Sequence, residues 1–241
     1  ISGFDMFKKF LAFILVLTIV IINCNKVNAQ VDEDVQQFLE RREQSWPAWK
    51  LINLKNSDIK TDLIYPSWFE GEWEVYSTDL NDVSAESVRY KVKFKKNELG
   101  QVVGDRAKNA ESIGRAILGE RLKKVKSDPK SFNNQVIYLN DNEFIESRVT
   151  GRNQIFDKDI FFSDEFFIQS FHKSGISRIN QVETMSKFSR CNNDELQTYE
   201  LNKPEICGYQ YQATYGSKVG IKNVQAISTN KYKLSFIFIE S

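Results

Sequence analysis

Histidine is almost missing from this sequence, and its scarcity limits the chemistry that the chain can carry. The only histidine is His172, and its neighbours match no triad pattern. Nucleophilic catalysis by serine or cysteine normally recruits a histidine as the general base. Structural and catalytic zinc sites also draw on histidine and cysteine. The sequence therefore favours neither a triad hydrolase nor a metal centre, and it predicts no metal and no cofactor.

Clustered glycines and an excess of one charge are also lacking. The 11 glycines never gather into a Walker or dinucleotide-binding pattern, which argues against the common cofactor enzymes. The 33 basic residues are balanced by 32 acidic ones, whereas nucleic acid or an anionic membrane surface calls for a basic stripe. Paired carboxylates such as Asp164 with Glu165 leave acid–base chemistry open, although strand neighbours point to opposite faces. We predict no nucleic-acid partner, and the balance of evidence favours a non-enzymatic role.

We interpret residues 1–29 as five residues that precede the natural start at Met6, followed by a secretory signal peptide. Two lysines follow Met6, then comes the apolar run Phe10–Ile22, and the small-residue pattern Val27–Ala29 ends the segment. A helix over this run would cross only about 20 Å of an apolar layer about 30 Å thick. We therefore expect export with cleavage after Ala29. A retained membrane anchor and lipid attachment at Cys24 are the alternatives.

Two cysteines follow the predicted cleavage site, namely Cys191 and Cys207. An exported chain meets oxidising conditions, so a disulfide between them is the natural pairing. Closing a loop of this size would contribute about 3 kcal/mol through the unfolded state. Two free thiols are the alternative interpretation.

Residues 30–64 are predicted to form a helical, tryptophan-containing arm. Within them, Asp32–Ser45 places apolar side chains at helical spacing behind acidic residues that suit a helix start. An irregular, proline-interrupted stretch follows. It holds all four tryptophans of the chain, Trp46, Trp49, Trp68 and Trp73. Such a concentration of large aromatic groups indicates a segment that wraps and fills a core.

From Glu72 onward the apolar residues recur with a period of two, which is typical of strands. The clearest example is Ser87–Lys95, in which apolar and basic residues alternate strictly. The basic face could bind anions. The outer face of an antiparallel sheet explains it with fewer assumptions, because that face is solvated and its charges discourage pairing with other chains.

Short strands separated by turn signals continue to the end of the chain. The predicted strands are Glu72–Ser77, Ser87–Lys95, Gly100–Gly104, Asn134–Leu139, Glu143–Thr150, Asp164–His172, Ile179–Arg190, Leu196–Leu201, Gly208–Tyr215, Asn223–Ser228 and Tyr232–Glu240. One helix interrupts them between Lys108 and Glu120, where apolar residues recur at spacings of three and four. Many short strands favour a barrel or a sandwich over a parallel α/β sheet.

Two short stretches carry more specific signals. Gly71 stands two residues before Trp73 at the start of a strand, where glycine permits a close backbone approach and the tryptophan can close one end of a barrel. Asp105 and Arg106 stand where a strand passes into the predicted helix. Arg106 is a candidate for a buried ion pair with Asp105 or for stacking on a tryptophan. Barrel closure and strand-to-helix turning are the structural interpretations of the two stretches.

The chain from Tyr65 to its C-terminus resembles an uncharacterised family of cyanobacterial and plant plastid proteins. The likeness is most specific in Tyr65–Val75, with a proline and a tryptophan before glycine-x-tryptophan, and in Val102–Gly119, with an aspartate-arginine-alanine-x-asparagine turn into a helix. The glycine-x-tryptophan start also resembles that of lipocalin-like (calycin) barrels. One departure is Lys108, where the family usually has an aromatic residue. The resemblance implies a setting in the thylakoid lumen or periplasm.

We therefore expect a mainly β, lipocalin-like antiparallel barrel or half-barrel over residues 65–241, with one inserted helix and a helical N-terminal arm. Its interior is predicted to bind a small apolar molecule, such as a lipid or a pigment. The candidate binding residues are Trp68, Trp73, Tyr90, Phe94, Arg106, Tyr209 and Tyr211. Structural roles are assigned to Gly71, Asp105 and Asn109. The alternative function is a non-enzymatic scaffold or assembly factor for a photosynthetic membrane complex, with the barrel exterior as the interface.

Overall fold

The computed structural model describes residues 34–52, 61–82, 84–140, 142–156, 159–173, 175–192, 203–216 and 224–240. The predicted signal peptide, residues 1–29, lies outside these ranges. The predicted strand Leu196–Leu201 also lies outside them. No helix of the described ranges is long and apolar enough to cross a membrane.

Residues 34–44 form helix α1, within the predicted helix Asp32–Ser45. Gln36 Nε2 donates a hydrogen bond of 2.9 Å to Glu40 Oε1, one turn further along the helix. Pairs with this spacing stabilise a helix by about 0.2–0.5 kcal/mol. Helix α1 belongs to a compact unit that ends at Gln44, and a second unit runs from Ser45 to the end of the chain.

The second unit contains one antiparallel sheet that curls strongly into a half-barrel. Its described strands are β1 (Ile64–Tyr65), β2 (Gly71–Asp79), β3 (Val88–Lys96), β4 (Val102–Gly104), β5 (Leu122–Asp128), β6 (Ser131–Leu139), β7 (Phe144–Phe156), β8 (Ile160–Lys173), β9 (Ile176–Arg190), β10 (Ile206–Tyr215) and β11 (Ser228–Glu240). Across the sheet they follow the order β1-β4-β3-β2-β11-β10-β9-β8-β7-β6-β5. The mainly β, antiparallel half-barrel predicted from the sequence is confirmed.

Helix α2 (Arg106–Leu118) packs against β3, the third strand from one end of the strand order, and against β5, the last strand at the other end. Asn109 ties it to β3: its Oδ1 accepts a 2.7 Å hydrogen bond from Lys93 N, and its Nδ2 donates to Lys93 O at 3.0 Å. Near the other end of the helix, Arg115 Nη2 donates to Lys123 O of β5 at 3.4 Å. The inserted helix thus bridges the two ends of the curled sheet.

The basic side chains of β3 lie beside acidic side chains of β2 on the outer face of the sheet. Arg89 Nη2 lies 2.6 Å from Glu74 Oε1, and Lys93 Nζ lies 3.9 Å from Glu72 Oε2. Phe94, which alternates with these residues, is buried. The basic row is therefore the solvated outer face that the alternation predicts, with its charges balanced by a neighbouring acidic row.

Residues 45–52 lie against the outer face of β10. The ring of Trp46 packs 5.4 Å from the ring of Tyr211, and Trp49 packs 4.7 Å from Trp46. Within this segment, Lys50 forms an isolated antiparallel bridge with Gln225. Gln225 belongs to the predicted strand Asn223–Ser228, and this bridge lies before β11, which begins at Ser228. Strand β10 is consequently covered on both of its faces.

Cys191 and Cys207 form a disulfide, as the sequence predicts. The bond joins the residue that follows β9 to the second residue of β10, 16 positions further along the chain. It therefore restrains the chain on both sides of residues 193–202, which lie outside the described ranges.

Candidate functional site

The inner face of the half-barrel surrounds a cavity of about 300 Å³, the lower end of the range in which small-molecule pockets fall. Strands β3, β8, β9, β10 and β11 and helix α2 all contribute to its walls. Its aromatic lining consists of Tyr65, Phe69, Tyr90, Phe94, Phe161, Phe167, Phe188 and Phe236. Its polar lining includes Arg106, Asn109, Gln135, Ser163, Glu165, Thr184, Ser186 and Gln210. The cavity therefore combines aromatic walls with a set of converging polar groups.

Aromatic rings pack against one another along one side of this cavity. The ring of Tyr65 lies 4.6 Å from that of Phe94 and 4.8 Å from that of Phe161, and the rings of Phe69 and Phe94 are 4.9 Å apart. These centroid distances lie in the range at which aromatic pairs attract one another beyond their area burial. The side is a pre-formed apolar wall whose rings hold each other in place.

A buried ion pair stands at the polar side of the cavity. Arg152 on β7 and Glu165 on β8 are directly opposite in the register. The guanidinium of Arg152 donates two hydrogen bonds to Glu165 Oε1, at 2.8 Å from Nε and 2.7 Å from Nη2. Arg152 also donates to the backbone oxygen of Thr61 and, at 3.0 Å, to Asn133 Oδ1. The side chain of Arg152 is 2% exposed, so these contacts satisfy a charge that has lost its water.

Arg106 extends this ion pair towards the helix. Its Nη2 lies 3.2 Å from Glu165 Oε1, and its Nε donates a 2.6 Å hydrogen bond to Asp62 Oδ1. Asp62 precedes β1, so the contact fixes the edge strand and the first residue of α2 to the same cluster. We call Asp62, Arg106, Arg152 and Glu165 the charged cluster.

The charged cluster keeps Glu165 and Arg106 ionised. Burial would raise the pKa of Glu165, but Arg106 and then Arg152 outweigh it and hold that pKa below its ordinary value. Burial would lower the pKa of Arg106, but Glu165 and Asp62 reverse the shift and raise it. Burial, and next the charge of Glu165, raise the pKa of the Tyr65 phenol. A carboxylate with a lowered pKa is a weak proton acceptor, so the cluster is suited to holding a ligand in place rather than to removing a proton.

The side chains of the strand-to-helix stretch Asp105–Lys108 point in two directions, towards the cavity and towards the outside. Arg106 points to the cavity, whereas Asp105 pairs with Lys95 Nζ at 2.8 Å on the outside. Lys108 also points outward and lies 2.8 Å from Glu72 Oε2. The predicted pairing of Arg106 with Asp105, or its stacking on a tryptophan, is therefore wrong. The partners of Arg106 are Asp62 and Glu165 instead, both distant from it in the sequence.

Three of the candidate binding residues line the cavity, namely Tyr90, Phe94 and Arg106. Burial raises the pKa of Tyr90 to about 12. That phenol therefore keeps its proton near neutral pH, and its hydrogen-bond partner is the side chain of Ser77.

Trp68 and Trp73 belong to the apolar core beside the cavity, and neither is among the described residues that line it. The indole Nε1 of Trp73 donates a 2.7 Å hydrogen bond to the backbone oxygen of Phe69. Trp68 stacks on the ring of Phe69 at 4.5 Å. Gly71 has φ 126°, a value that favours glycine, at the position where the chain enters β2. The pair of tryptophans supports a lining residue, Phe69, from behind.

Tyr209 and Tyr211 lie on the outer face of the sheet, so their assignment to the interior is corrected. Lys231 Nζ lies 4.6 Å from the ring centre of Tyr209 and 4.9 Å from that of Tyr211. The residue between them, Gln210, is the one that lines the cavity. Because β10 is covered on both faces, the alternation of its residues does not reveal which set faces inward.

Sequence reasoning missed three residues that shape the site, Asp62, Tyr65 and Arg152, and considered Glu165 only as one of a carboxylate pair with Asp164. Tyr65 belongs to the stretch Tyr65–Val75 that carries the family resemblance, but it was given no role. A local signal did exist for Glu165, because a carboxylate within a predicted strand, directly before Phe166 and Phe167, requires a partner when it is buried. The partner itself, Arg152, could not be identified without the register of the sheet.

His172 lies outside the cavity, at the far end of β8. Its Nε2 is 3.0 Å from Glu146 Oε2, its Nδ1 is 3.0 Å from Ser177 Oγ, and its ring stacks on Phe144 at 4.4 Å. The Glu146 side chain is 57% exposed. These contacts are the surface packing expected of a single histidine.

These features define a class of protein: a mainly β half-barrel with an internal pocket and a buried charged cluster. Within that class, the chain belongs to the family described as Domain of unknown function (DUF6816), which matches residues 59–237. The match includes every residue of the charged cluster and of the aromatic wall. No curated protein and no solved structure matches the chain.

Proposed function

We propose that this protein binds one small, mainly apolar molecule, a lipid or a pigment, inside the half-barrel. The observation that carries the proposal is the cavity of about 300 Å³ on the inner face of the sheet. Protein interiors are close-packed and contain few voids larger than a water molecule. A concave space of this size, walled by packed aromatic rings, is of the kind that takes up small ligands.

The distribution of chemistry around the cavity supports binding. Ligand pockets are mostly apolar, with a small number of placed polar groups that fix orientation. Here the rings of Phe69, Phe94 and Phe161 supply the apolar side, while Arg106 and Glu165 converge from α2 and β8. The resemblance of the start at Gly71 and Trp73 to that of lipocalin-like barrels agrees with this proposal, since such barrels hold one small ligand. The proposed setting is an exported one, in a periplasm or a thylakoid lumen.

A cavity-filling variant tests the proposal directly. Ala110 is a lining residue on helix α2, whereas Ala116 on the same helix is exposed. We expect Ala110→Phe to abolish the uptake of a neutral fluorescent probe such as Nile red, and Ala116→Phe to leave it unchanged. Far-ultraviolet circular dichroism of both variants checks that the sheet is retained. Equal uptake by the wild type and Ala110→Phe would contradict the proposal.

Native mass spectrometry of protein purified from its own membranes compares this function with the alternative. A retained small molecule supports ligand binding. A retained protein partner and no small molecule would favour the scaffold or assembly factor.

A further inference from the structure

The charged cluster is balanced within itself. It contains two guanidinium groups, from Arg106 and Arg152, and two carboxylates, from Asp62 and Glu165. Both carboxylates accept from Arg106, and Glu165 accepts from Arg152 as well. The formal charge of the cluster is therefore zero, and its cations already have anionic partners.

Two hydrogen-bond donors at the cavity wall are not used by this network. The hydroxyl of Tyr65 makes no hydrogen bond to any described residue, and the same is true of Nη1 of Arg106, whose Nε and Nη2 are both engaged. Both residues line the cavity. Burial keeps the phenol of Tyr65 protonated, because its pKa is raised. The polar side therefore offers donors to an occupant but no unbalanced positive charge.

We infer that the ligand is an uncharged molecule with one oxygen that accepts hydrogen bonds, a ketone, an aldehyde or an alcohol, and that this oxygen lies against Tyr65 and Arg106. The inference rests on the proposed function and narrows its ligand class. The apolar remainder of the molecule lies along the wall formed by Phe69, Phe94 and Phe161.

A carboxylate ligand fits this site poorly for a physical reason. Moving an anion out of water is costly unless an opposite charge compensates it. Here each guanidinium is already paired, so a third carboxylate would meet the repulsion of Asp62 and Glu165 at short range. A neutral oxygen loses far less hydration on entry, and Tyr65 can replace the lost hydrogen bond.

Three ligands with the same ten-carbon chain test the inference: 2-decanone, 1-decanol and decanoate. Each is used at pH 8 to displace Nile red from the wild-type protein. We expect the ketone and the alcohol to bind at least about tenfold more tightly than the carboxylate, a difference of about 1.4 kcal/mol. Removing the hydroxyl in Tyr65→Phe should weaken the ketone by about two- to tenfold, the size of one hydrogen bond. Tyr209→Phe, on the outer face, is the matched control and should change nothing.

The outcomes separate the inference from the proposed function. If the wild-type protein takes up no Nile red, the proposed function fails. If it takes up Nile red that neither the ketone nor the alcohol displaces, the inferred ligand class is overturned. If decanoate binds as tightly as the ketone, the cavity binds ligands but the inference of an uncharged ligand is overturned. If Tyr65→Phe and Tyr209→Phe behave alike, the ligand oxygen does not lie against Tyr65, and that placement is overturned.

Discussion

Arg152 and Glu165 face each other across β7 and β8, and two nitrogens of the guanidinium donate to one carboxylate oxygen at 2.8 and 2.7 Å. This pair connects elements that are far apart in the sequence. Through Arg106 it reaches the start of helix α2, and through Asp62 it reaches the edge strand β1. The inner face of the sheet and the helix that bridges its ends therefore share one buried electrostatic contact.

Breaking this pair should destabilise the protein more than breaking a surface pair does. We expect Arg152→Met to lower the free energy of unfolding by about 3 kcal/mol, because Glu165 keeps its charge in a buried site with one partner fewer. Arg89→Met removes an exposed arginine from Glu74 and should lower the free energy of unfolding far less, because solvent screens a surface pair. Urea unfolding followed by circular dichroism measures both values.

The double variant Arg152→Met/Glu165→Leu distinguishes a paired charge from a simple packing contact. Replacing both members with apolar residues removes the uncompensated charge, so we expect the double variant to be more stable than Arg152→Met alone. A loss equal to the sum of the two single losses would show that the residues are not energetically coupled.

The stability of the fold should fall on acidification, in part through Glu165. Its pKa in the folded protein is below the ordinary value of 4.5. A carboxyl group of this kind contributes its stability above the unfolded-state pKa, and the contribution is lost as the pH falls through the folded-state pKa. Between pH 6 and pH 3 we therefore expect the wild type to lose more free energy of unfolding than Glu165→Gln does. Parallel pH profiles for the two proteins would contradict the assignment.

The sequence predicts most of the strands but not every edge of the sheet. Ser87–Lys95 alternates strictly and matches β3 within one residue at each end. Strand β5, Leu122–Asp128, was not predicted, because its only buried residue is Leu122 and lysines occupy its exposed positions. A short lysine-rich edge strand has no apolar alternation to detect.

The site could be predicted only in part, because its contacts depend on the register of the sheet. Phe94 belongs to a strand with one apolar face, so its inward orientation follows from the alternation. Tyr211 belongs to a strand covered on both faces, and the alternation cannot choose between them. Arg106 binds Asp62 and Glu165, which are 44 and 59 positions away. No local pattern specifies partners at such distances.

Asn109 should be a structural residue whose loss loosens helix α2 from β3. Its side chain satisfies both backbone groups of Lys93, with distances of 2.7 and 3.0 Å. We expect Asn109→Ala to lower the free energy of unfolding by about 1–3 kcal/mol, because it leaves the partly buried N–H of Lys93 without a partner. The backbone oxygen of Lys93 still accepts a hydrogen bond of 2.9 Å from Asp105 N. Hydrogen exchange at the Lys93 amide should accelerate as well.

Two further variants serve as controls for Asn109→Ala, one at the same position and one at an exposed position of the same helix. Asn109→Asp keeps the acceptor for Lys93 N but loses the donor to Lys93 O, so its stability should be intermediate. Ala116→Phe, at an exposed position, should leave the Lys93 amide protected. Unchanged exchange at Lys93 in Asn109→Ala would show that the side chain does not hold the strand.

Gly208 should not tolerate even one added methyl group. A Cβ built at this position would overlap the backbone oxygen of Lys187 and would lie 2.8 Å from Phe188 Cα. Both atoms belong to the paired backbone of β9, so relief requires the strands to shift. We expect Gly208→Ala to cost about 1–3 kcal/mol, as overpacking of a core does. The control is Gly216→Ala, where nothing lies within 4 Å of the added carbon. Thermal unfolding of the two variants gives the comparison, and equal melting temperatures would mean that β9 and β10 are not in the close contact described.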